Sequence, residues 1–311
     1  MDKTRKKSLE KQGYRLVGNH SAVKSCLWCK KAIRGEGTCY KFKFYGIKSW
    51  CCIQSSVSMD VCSLRCLWCW RDVDYTINRF KEIDEPKEIL DGLIREHKKA
   101  LEGYYGYDKV DKERLKEISS PKHVALSLAG ENCLYPKLPE LIEEIHKRGM
   151  TSFLVSNGTV PGMLNKLLEN EEPTQMYVTL PAPNEEVFRN MCKPIMKNGW
   201  EKIMESLKLL QRFKRSAVRL TLVKGLNMLD VEGYAKILKG LDFKFLELKA
   251  GMPIGYARHR MEFEQMPEHS EVKDFSERLA KLLGWKIIDE KKESRVVLLM
   301  KEDFKGRVME F

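Results

Sequence analysis

Hydrophobic positions after about residue 85 alternate between two spacings. Within residues 86–103, Ile89, Leu90, Leu93, Ile94 and Leu101 recur at helical intervals, and Pro86 suits a first helical position. Residues 123–129 then form a strand-like run, followed by a helical pattern over 138–147. The alternation predicts further strands at 152–156, 176–181, 217–223 and 244–249, interleaved with helices at 162–168, 201–212, 231–238 and 272–283. A last β-like run covers 295–300, and a first strand falls near 53–59. Strands separated by single helices imply βαβ units and a parallel sheet with right-handed crossovers. Six such units are too few for a closed eight-unit barrel and predict an α/β fold of the open, partial (βα)6 type. Ligand-bearing loops in such folds lie at the carboxyl ends of the strands. Residues 1–50 fall outside the repeat. The expected organisation is an N-terminal extension over 1–50 and a partial-barrel domain with a C-terminal extension over 51–311.

Composition sharpens this picture through position rather than total. The 311-residue chain carries 56 Lys+Arg against 44 Asp+Glu, a net charge of +12, and is 43% hydrophobic, which excludes a disordered or fibrous chain. Residues 1–50 hold 13 Lys+Arg and 3 Asp+Glu, so most of the excess charge sits at one end. Eight of the ten cysteines (Cys26, Cys29, Cys39, Cys51, Cys52, Cys62, Cys66 and Cys69) fall within one 44-residue window of the same end. The opening MDKTRKK is not followed by an apolar stretch, and no run approaches the ~18 apolar residues of a membrane span. The expectation is a cytoplasmic protein with no membrane association. In a reducing compartment, clustered thiols read as metal or cluster ligands before they read as disulfides.

Just after the first strand stands Cys62-Ser-Leu-Arg-Cys66-Leu-Trp-Cys69, a C-x3-C-x2-C triplet. Three thiolates can hold three irons of a 4Fe-4S cluster and leave the fourth open to an amine and a carboxylate. The competing reading is chance or zinc, although zinc usually takes four ligands in paired C-x2-C knuckles. The triplet resembles that of the radical S-adenosylmethionine (SAM) superfamily. In that superfamily the cluster passes one electron to the sulfonium and releases a 5′-deoxyadenosyl radical. Downstream strand ends are similar too. Ala129-Gly130-Glu131-Asn132 resembles the Gly-Gly-Glu turn whose backbone binds the methionyl ammonium, with Ala in place of the first Gly. Ser156-Asn157-Gly158-Thr159 resembles a polar contact to the cofactor, although Asn-Gly is also an ordinary turn signal. Arg219, residues 222–227 and residues 251–256 match later cofactor-contacting regions. The resemblance implies that Gly130, Glu131, Ser156 and Asn157 bind SAM and that the fold is a radical SAM barrel.

The remaining cysteines admit two readings. Cys26-Leu-Trp-Cys29 looks like half a zinc knuckle, completed by Cys39 and Cys51 or Cys52. Alternatively, Cys26, Cys39 and Cys52, separated by 12 residues each, hold a second 4Fe-4S cluster with an open iron. This arrangement, with Ala32-Ile-Arg-Gly-Glu and Cys39-Tyr-Lys41-Phe-Lys43-Phe-Tyr-Gly-Ile around it and Cys69-Trp70-Arg71 after it, resembles the tRNA 4-demethylwyosine synthase family of the wyosine pathway.

That resemblance implies a specific reaction by a radical SAM carbon–carbon lyase/synthase. N1-methylguanosine beside the anticodon of phenylalanine tRNA is condensed with pyruvate to the tricyclic base 4-demethylwyosine. The radical takes a hydrogen from the N1-methyl group, the methylene radical adds to lysine-bound pyruvate, C1 of pyruvate is lost, and guanine N2 displaces the lysine. Two 4Fe-4S clusters, SAM, pyruvate and an external flavodoxin- or ferredoxin-type electron donor are implied, with the enzyme acting as a monomer. No flavodoxin-like segment precedes the cysteine region, which is why the donor is expected to be a separate protein.

If residues 39–45 are extended, Cys39, Lys41 and Lys43 share one face while Tyr40, Phe42 and Phe44 share the other. By itself this pattern fits a half-buried strand with solvated lysines. A lysine beside cations has its pKa lowered, and its free amine can form a Schiff base with a keto acid. Lys41 is the expected Schiff-base residue, with Lys43 second. The basic segment, with Trp28, Tyr40, Phe42, Tyr45 and Trp50 interleaved, fits RNA binding, although residues 3–7 also read as a frayed tail. Arg258, His259 and Arg260 are expected to flank the same opening. The six His show no HxH or HExxH spacing, and neither a Ser nucleophile elbow nor a P-loop is present. Cys133 and Cys192 read as small buried apolar side chains. Two alternatives stay open at this point: a different radical SAM enzyme with an auxiliary cluster (methylthiolating or activating), and a non-catalytic zinc-stabilised RNA-binding protein.

Overall fold

A computed structural model describes residues 3–311. Six strands run parallel in sequence order: β3 (Cys52–Ser56), β4 (His123–Leu126), β5 (Thr151–Ser156), β6 (Gln175–Thr179), β7 (Ser216–Leu222) and β8 (Phe245–Ala250). A hairpin of β1 (Arg15–Val17) and β2 (Ser21–Val23) joins the β3 edge antiparallel, and β10 (Val296–Met300) with β9 (Lys286–Lys291) joins the β8 edge. The ten-stranded sheet ends in two different strands, β1 and β9, so the barrel is open. Residues 1–50, read as lying outside the repeat, thus contribute two strands to the same sheet.

Helices α1 (Lys3–Lys11), α2 (Leu27–Ile33) and α3 (Tyr40–Tyr45) precede β3. The crossovers carry α4 (Pro86–Leu101), α5 (Lys112–Glu117), α6 (Leu138–Lys147), α7 (Pro161–Glu169), α8 (Glu185–Cys192), α9 (Gly199–Leu210), α10 (Val231–Leu238) and α11 (His269–Leu283). They form where the apolar stripe has helical spacing. In α6 the buried residues Leu138, Leu141, Ile142 and Ile145 face the sheet, each contributing about 1.5–3 kcal/mol of burial, while His146 and Lys147 close the last turn. No helix among the described residues is long and apolar enough to cross a membrane.

The opposite, concave face of the sheet holds Ala125, Phe153, Tyr177, Ala217, Phe245 and Leu298. It is filled by α3, whose Tyr40, Phe44 and Tyr45 pack onto those side chains. Here the expected extended segment is a helix. Cys39 is its N-cap, and Gly46 ends it at φ 81°, where an added Cβ would lie 1.9 Å from Met309 O. The Tyr/Lys/Phe alternation has strand period, but burial against the concave face selects Tyr40, Lys41, Phe44 and Tyr45, a helical set.

Candidate active site

The loop joining β3 to the first crossover carries Cys62, Cys66 and Cys69, and neighbouring loops hold its backbone. Gly130 sits at φ 69°, with the position of a Cβ only 1.7 Å from Ser58 O, so only glycine lets the turn after β4 approach this closely. Arg260 donates to the carbonyls of Leu67 (3.3 Å), Cys69 and Arg71 (3.3 Å). The end of α8 adds three backbone bonds: Arg65 N to Cys192 O, Leu67 N to Met191 O, and Ile195 N to Ser63 O, at 2.8, 2.9 and 3.0 Å.

Burial pushes the Cys62 thiol up to about 12 and raises Cys69. Cys66 is raised first by a hydrogen bond with Cys192 and then by burial. Arg71 opposes these shifts at all three thiols. The residue is 2% exposed and donates from Nη2 to Leu64 O (3.2 Å), whereas among the described residues Nε and Nη1 have no hydrogen-bond partner. Three thiols that ionise at a cost, beside a buried cation with two unused donors, fit an anionic, sulfur-rich group.

The turns after β4 and β5 form one unit. The buried Glu131 carboxylate accepts from Cys133 N (3.0 Å), Ser156 Oγ (2.9 Å) and Asn157 N (2.6 Å), and burial raises its pKa. Asn157 Nδ2 in turn donates to Ser63 Oγ (3.0 Å) and reaches Cys62 Sγ (3.8 Å). The structure therefore brings Gly130, Glu131, Ser156 and Asn157 together beside the three-cysteine loop. Asn227, by contrast, is spent on the carbonyls of Pro181 and Thr221 and on Val223 N.

The second set gathers inside the barrel. Cys39 and Cys52 pack with Tyr40 and Phe44 on the concave face, and Cys26 caps α2, its Sγ accepting from Cys29 N (3.3 Å). Burial raises all three thiols, Cys26 to about 11, and Cys39 and Lys41 each act on Cys26 and Cys52 electrostatically. Cys29 and Cys51 lie in a neighbouring core with Ala32, Ile33 and Leu101, against which Cys26 also packs, and Cys51 Sγ donates to Glu117 O (3.6 Å). Among the described residues, no three His, Cys, Asp or Glu side chains are gathered to hold a single metal ion. Cys52 opens β3 and the loop carrying Cys62, Cys66 and Cys69 follows its other end, about 13 Å along the strand at ~3.3 Å per residue.

Lys41 is 8% exposed, with Nζ 5.1 Å from the Phe153 ring and 5.0 Å from the Tyr177 ring. Among the described residues it makes no ion pair. Burial, and then Arg219, holds its pKa below the usual lysine range, against Glu247. Arg219 and Glu247 form a buried pair (2.9 Å) whose carboxylate also accepts from Tyr40 Oη (3.1 Å) and Tyr45 Oη (2.7 Å). Lys249 lies beside them, its pKa also lowered by burial and then by Arg219.

The Radical SAM superfamily model matches residues 56–238, and the wyosine base formation model matches residues 242–301. The S-adenosyl-L-methionine-dependent tRNA 4-demethylwyosine synthase of Pyrococcus abyssi is 43% identical over 94% of this chain and 87% of its own length. The chain belongs to the tRNA 4-demethylwyosine synthase family. The Methanocaldococcus jannaschii synthase is 39% identical over 96% of both chains. A solved structure of TYW1 with a lysine–pyruvate adduct bound superposes with a TM-score of 0.90, at 35% identity, covering 99% of each chain.

As a radical SAM enzyme, a synthase of this family uses SAM and a 4Fe-4S cluster, which the three-cysteine loop and Arg71 fit. Several expectations are corrected. In a helix, residues two apart diverge, so Lys43 leaves the face of Lys41, pairing with Asp289 (2.6 Å) and donating to Glu290 O (2.8 Å) at the surface. Tyr40, Tyr45 and Trp50, read as RNA-facing aromatics, are buried. Residues 3–7 are not frayed: α1 buries Arg5, which makes a bidentate pair with Asp60 (2.6 and 3.1 Å). Arg219 is paired with Glu247, and Arg260 braces the cysteine loop. Sequence reasoning missed Glu247 and Lys249. Their signal is charge at alternate positions of an otherwise apolar strand, opposite Arg219 and Thr221 in register.

Proposed function

We propose that the chain condenses N1-methylguanosine in phenylalanine tRNA with pyruvate to give 4-demethylwyosine. In this reading Cys26, Cys39 and Cys52 hold a second 4Fe-4S cluster and Lys41 carries pyruvate. The observation that carries it is Lys41: a buried amine without an ion-pair partner among the described residues, held toward its neutral form inside the barrel beside Cys39 and Cys52. When bound, the SAM-ligating cluster supplies the electron that releases a hydrogen-abstracting radical.

The chain's own residues do the rest. The neutral Lys41 Nζ adds to the pyruvate ketone, and loss of water leaves an imine, with Arg219 and Lys249 the cations nearest the pyruvate carboxylate. Phe153 and Tyr177 wall the amine and exclude water that would hydrolyse the imine. Attack by guanine N2 at the imine-derived carbon returns Lys41 as the free amine. The methylated base must leave its stack to reach this site. Exposed Trp70 and Ile254, with Arg258 and His259, border the cysteine loop where such a base enters, since Tyr256 N bonds to Trp70 O (2.9 Å).

The test incubates anaerobically reconstituted protein with a chemical reductant, SAM, pyruvate and tRNA bearing N1-methylguanosine, followed by nucleoside mass spectrometry. The proposal expects 4-demethylwyosine; unchanged N1-methylguanosine with the cofactors loaded would contradict it.

A further inference from the structure

One basic cavity lies outside the barrel mouth. It encloses about 640 Å³ between α8, the 193–198 segment and the first turn of α9. Its charged lining is Arg65, Arg189, Lys193 and Lys197 against Glu185, and that carboxylate is paired with Arg189 (2.6 Å). Arg65, Lys193 and Lys197 are exposed, and among the described residues they have no ion-pair partner. The floor is apolar, with Phe188 buried and Ile195, Met196 and Trp200 half-buried.

This cavity backs directly onto the three-cysteine loop. Arg65 lies between Cys62 and Cys66, and the three backbone bonds from Cys192, Met191 and Ile195 tie the cavity wall to that loop. Lys193 and Asn198 hold left-handed φ angles of 42° and 56°, so the segment between them is shaped by tertiary packing rather than by local preference.

We propose that this surface docks the acidic protein that donates electrons to the cofactor at the three-cysteine loop. The proposal rests on the function above, which requires an electron delivered to that cofactor. A small one-electron carrier with an acidic rim around its flavin or iron–sulfur group fits the four cations, and its apolar centre fits the floor. The carrier is oxidised by one electron and the cofactor is reduced by one; no bond to the chain forms or breaks. RNA fits less well. Trp200 packs against Phe188 at 5.7 Å, so its ring is not an open stacking platform.

The test compares the full-length, reconstituted wild type with the Lys193→Glu/Lys197→Glu variant, using a recombinant bacterial flavodoxin as probe. Charge reversal is expected to weaken flavodoxin binding at low salt by about tenfold or more and to slow cofactor reduction by reduced flavodoxin in stopped-flow. Reduction by dithionite and tRNA affinity should stay within about twofold of wild type. Unchanged flavodoxin affinity and reduction rate would overturn the proposal, as would loss of tRNA binding with flavodoxin binding retained. A misfolded variant is recognised by failure with dithionite; Lys197→Gln, a milder change at one exposed side chain, then gives the same comparison. Wild type that forms no product with dithionite contradicts the proposed function instead, independently of the docking result.

Discussion

Arg219 and Glu247 stand opposite each other in the register of β7 and β8, with Nη2 2.9 Å from Oε2, and both act on the buried amine of Lys41. Burial does most to hold Lys41 toward its neutral form; the arginine adds to that and the glutamate opposes it, so the pair tunes the pH at which the amine becomes a nucleophile. A buried ion pair repays its desolvation only when its remaining hydrogen-bonding capacity is used. Tyr40 and Tyr45 meet that need here.

This geometry gives a two-way pH prediction. Pyruvate capture should rise with pH through a Lys41 pKa below that of an exposed lysine. Arg219→Gln removes the cation and should move the profile to higher pH; Glu247→Gln removes the anion and should move it lower. Rates of borohydride trapping of labelled pyruvate across pH measure both shifts. Glu247→Gln should also cost about 3–5 kcal/mol in stability, because it leaves Arg219 buried without its counter-charge.

The ambiguity between adjacent cysteines resolves into a measurable difference. Cys52 shares the concave face with Cys39, whereas Cys51 lies in the core beside Glu117. Cys52→Ala should lose about half the iron and sulfide of the reconstituted protein, the share of one cluster in two. Cys51→Ala should keep both clusters and lose only packing.

His97 makes stability acid-sensitive. It is fully buried in α4, neither ring nitrogen has a hydrogen-bond partner among the described residues, and burial lowers its pKa to about 4. The unfolded chain takes up this proton near pH ~6.5 and the folded one only near 4. The neutral-ring contribution is therefore complete above pH ~6.5 and is lost as pH falls toward 4, by at most about 3 kcal/mol. Urea midpoints measured from pH 7 to 4 should fall more steeply for wild type than for His97→Leu, whose remaining acid slope includes His123, lowered to about 3.

Much of this architecture is legible in the sequence, for identifiable reasons. Helices 138–147 and 231–238 have the same limits in the sequence pattern and in the structure, because an apolar stripe with polar flanks determines them locally. The six parallel strands are read correctly to within a few residues, because each is buried on both faces and reads as an apolar run. The α3 segment is misread because Tyr40 to Tyr45 satisfies a strand period, and the surface that makes it a helix comes from residues 125 to 298. For the same reason Tyr40, Tyr45 and Trp50 cannot be told from RNA-stacking aromatics in one dimension. The partners of Lys41 stay hidden because the pairing of Arg219 with Glu247 exists only in the register of two strands.

The basic N-terminal charge is likewise redistributed by folding. Arg5 pairs with Asp60, Arg34 with Glu36, Lys43 with Asp289 and Lys48 with Glu117. Lys3, Lys7, Lys11 and Lys30 remain exposed and without an ion-pair partner among the described residues. Substituting these four by Gln should weaken tRNA binding and flatten its salt dependence, with log Kd against log salt losing up to about 0.9 per contact removed. An unchanged salt slope would place the RNA elsewhere.

The central claim is that one buried lysine, Lys41, carries pyruvate. Reconstituted protein treated with labelled pyruvate and borohydride, then digested and sequenced by mass spectrometry, tests it most directly. The account predicts an adduct on Lys41 in wild type and in Lys43→Met, whose surface pair with Asp289 is worth about 0–1 kcal/mol, and no adduct in Lys41→Met. An adduct on Lys43 or Lys249 in wild type, or undiminished labelling of Lys41→Met, would contradict it.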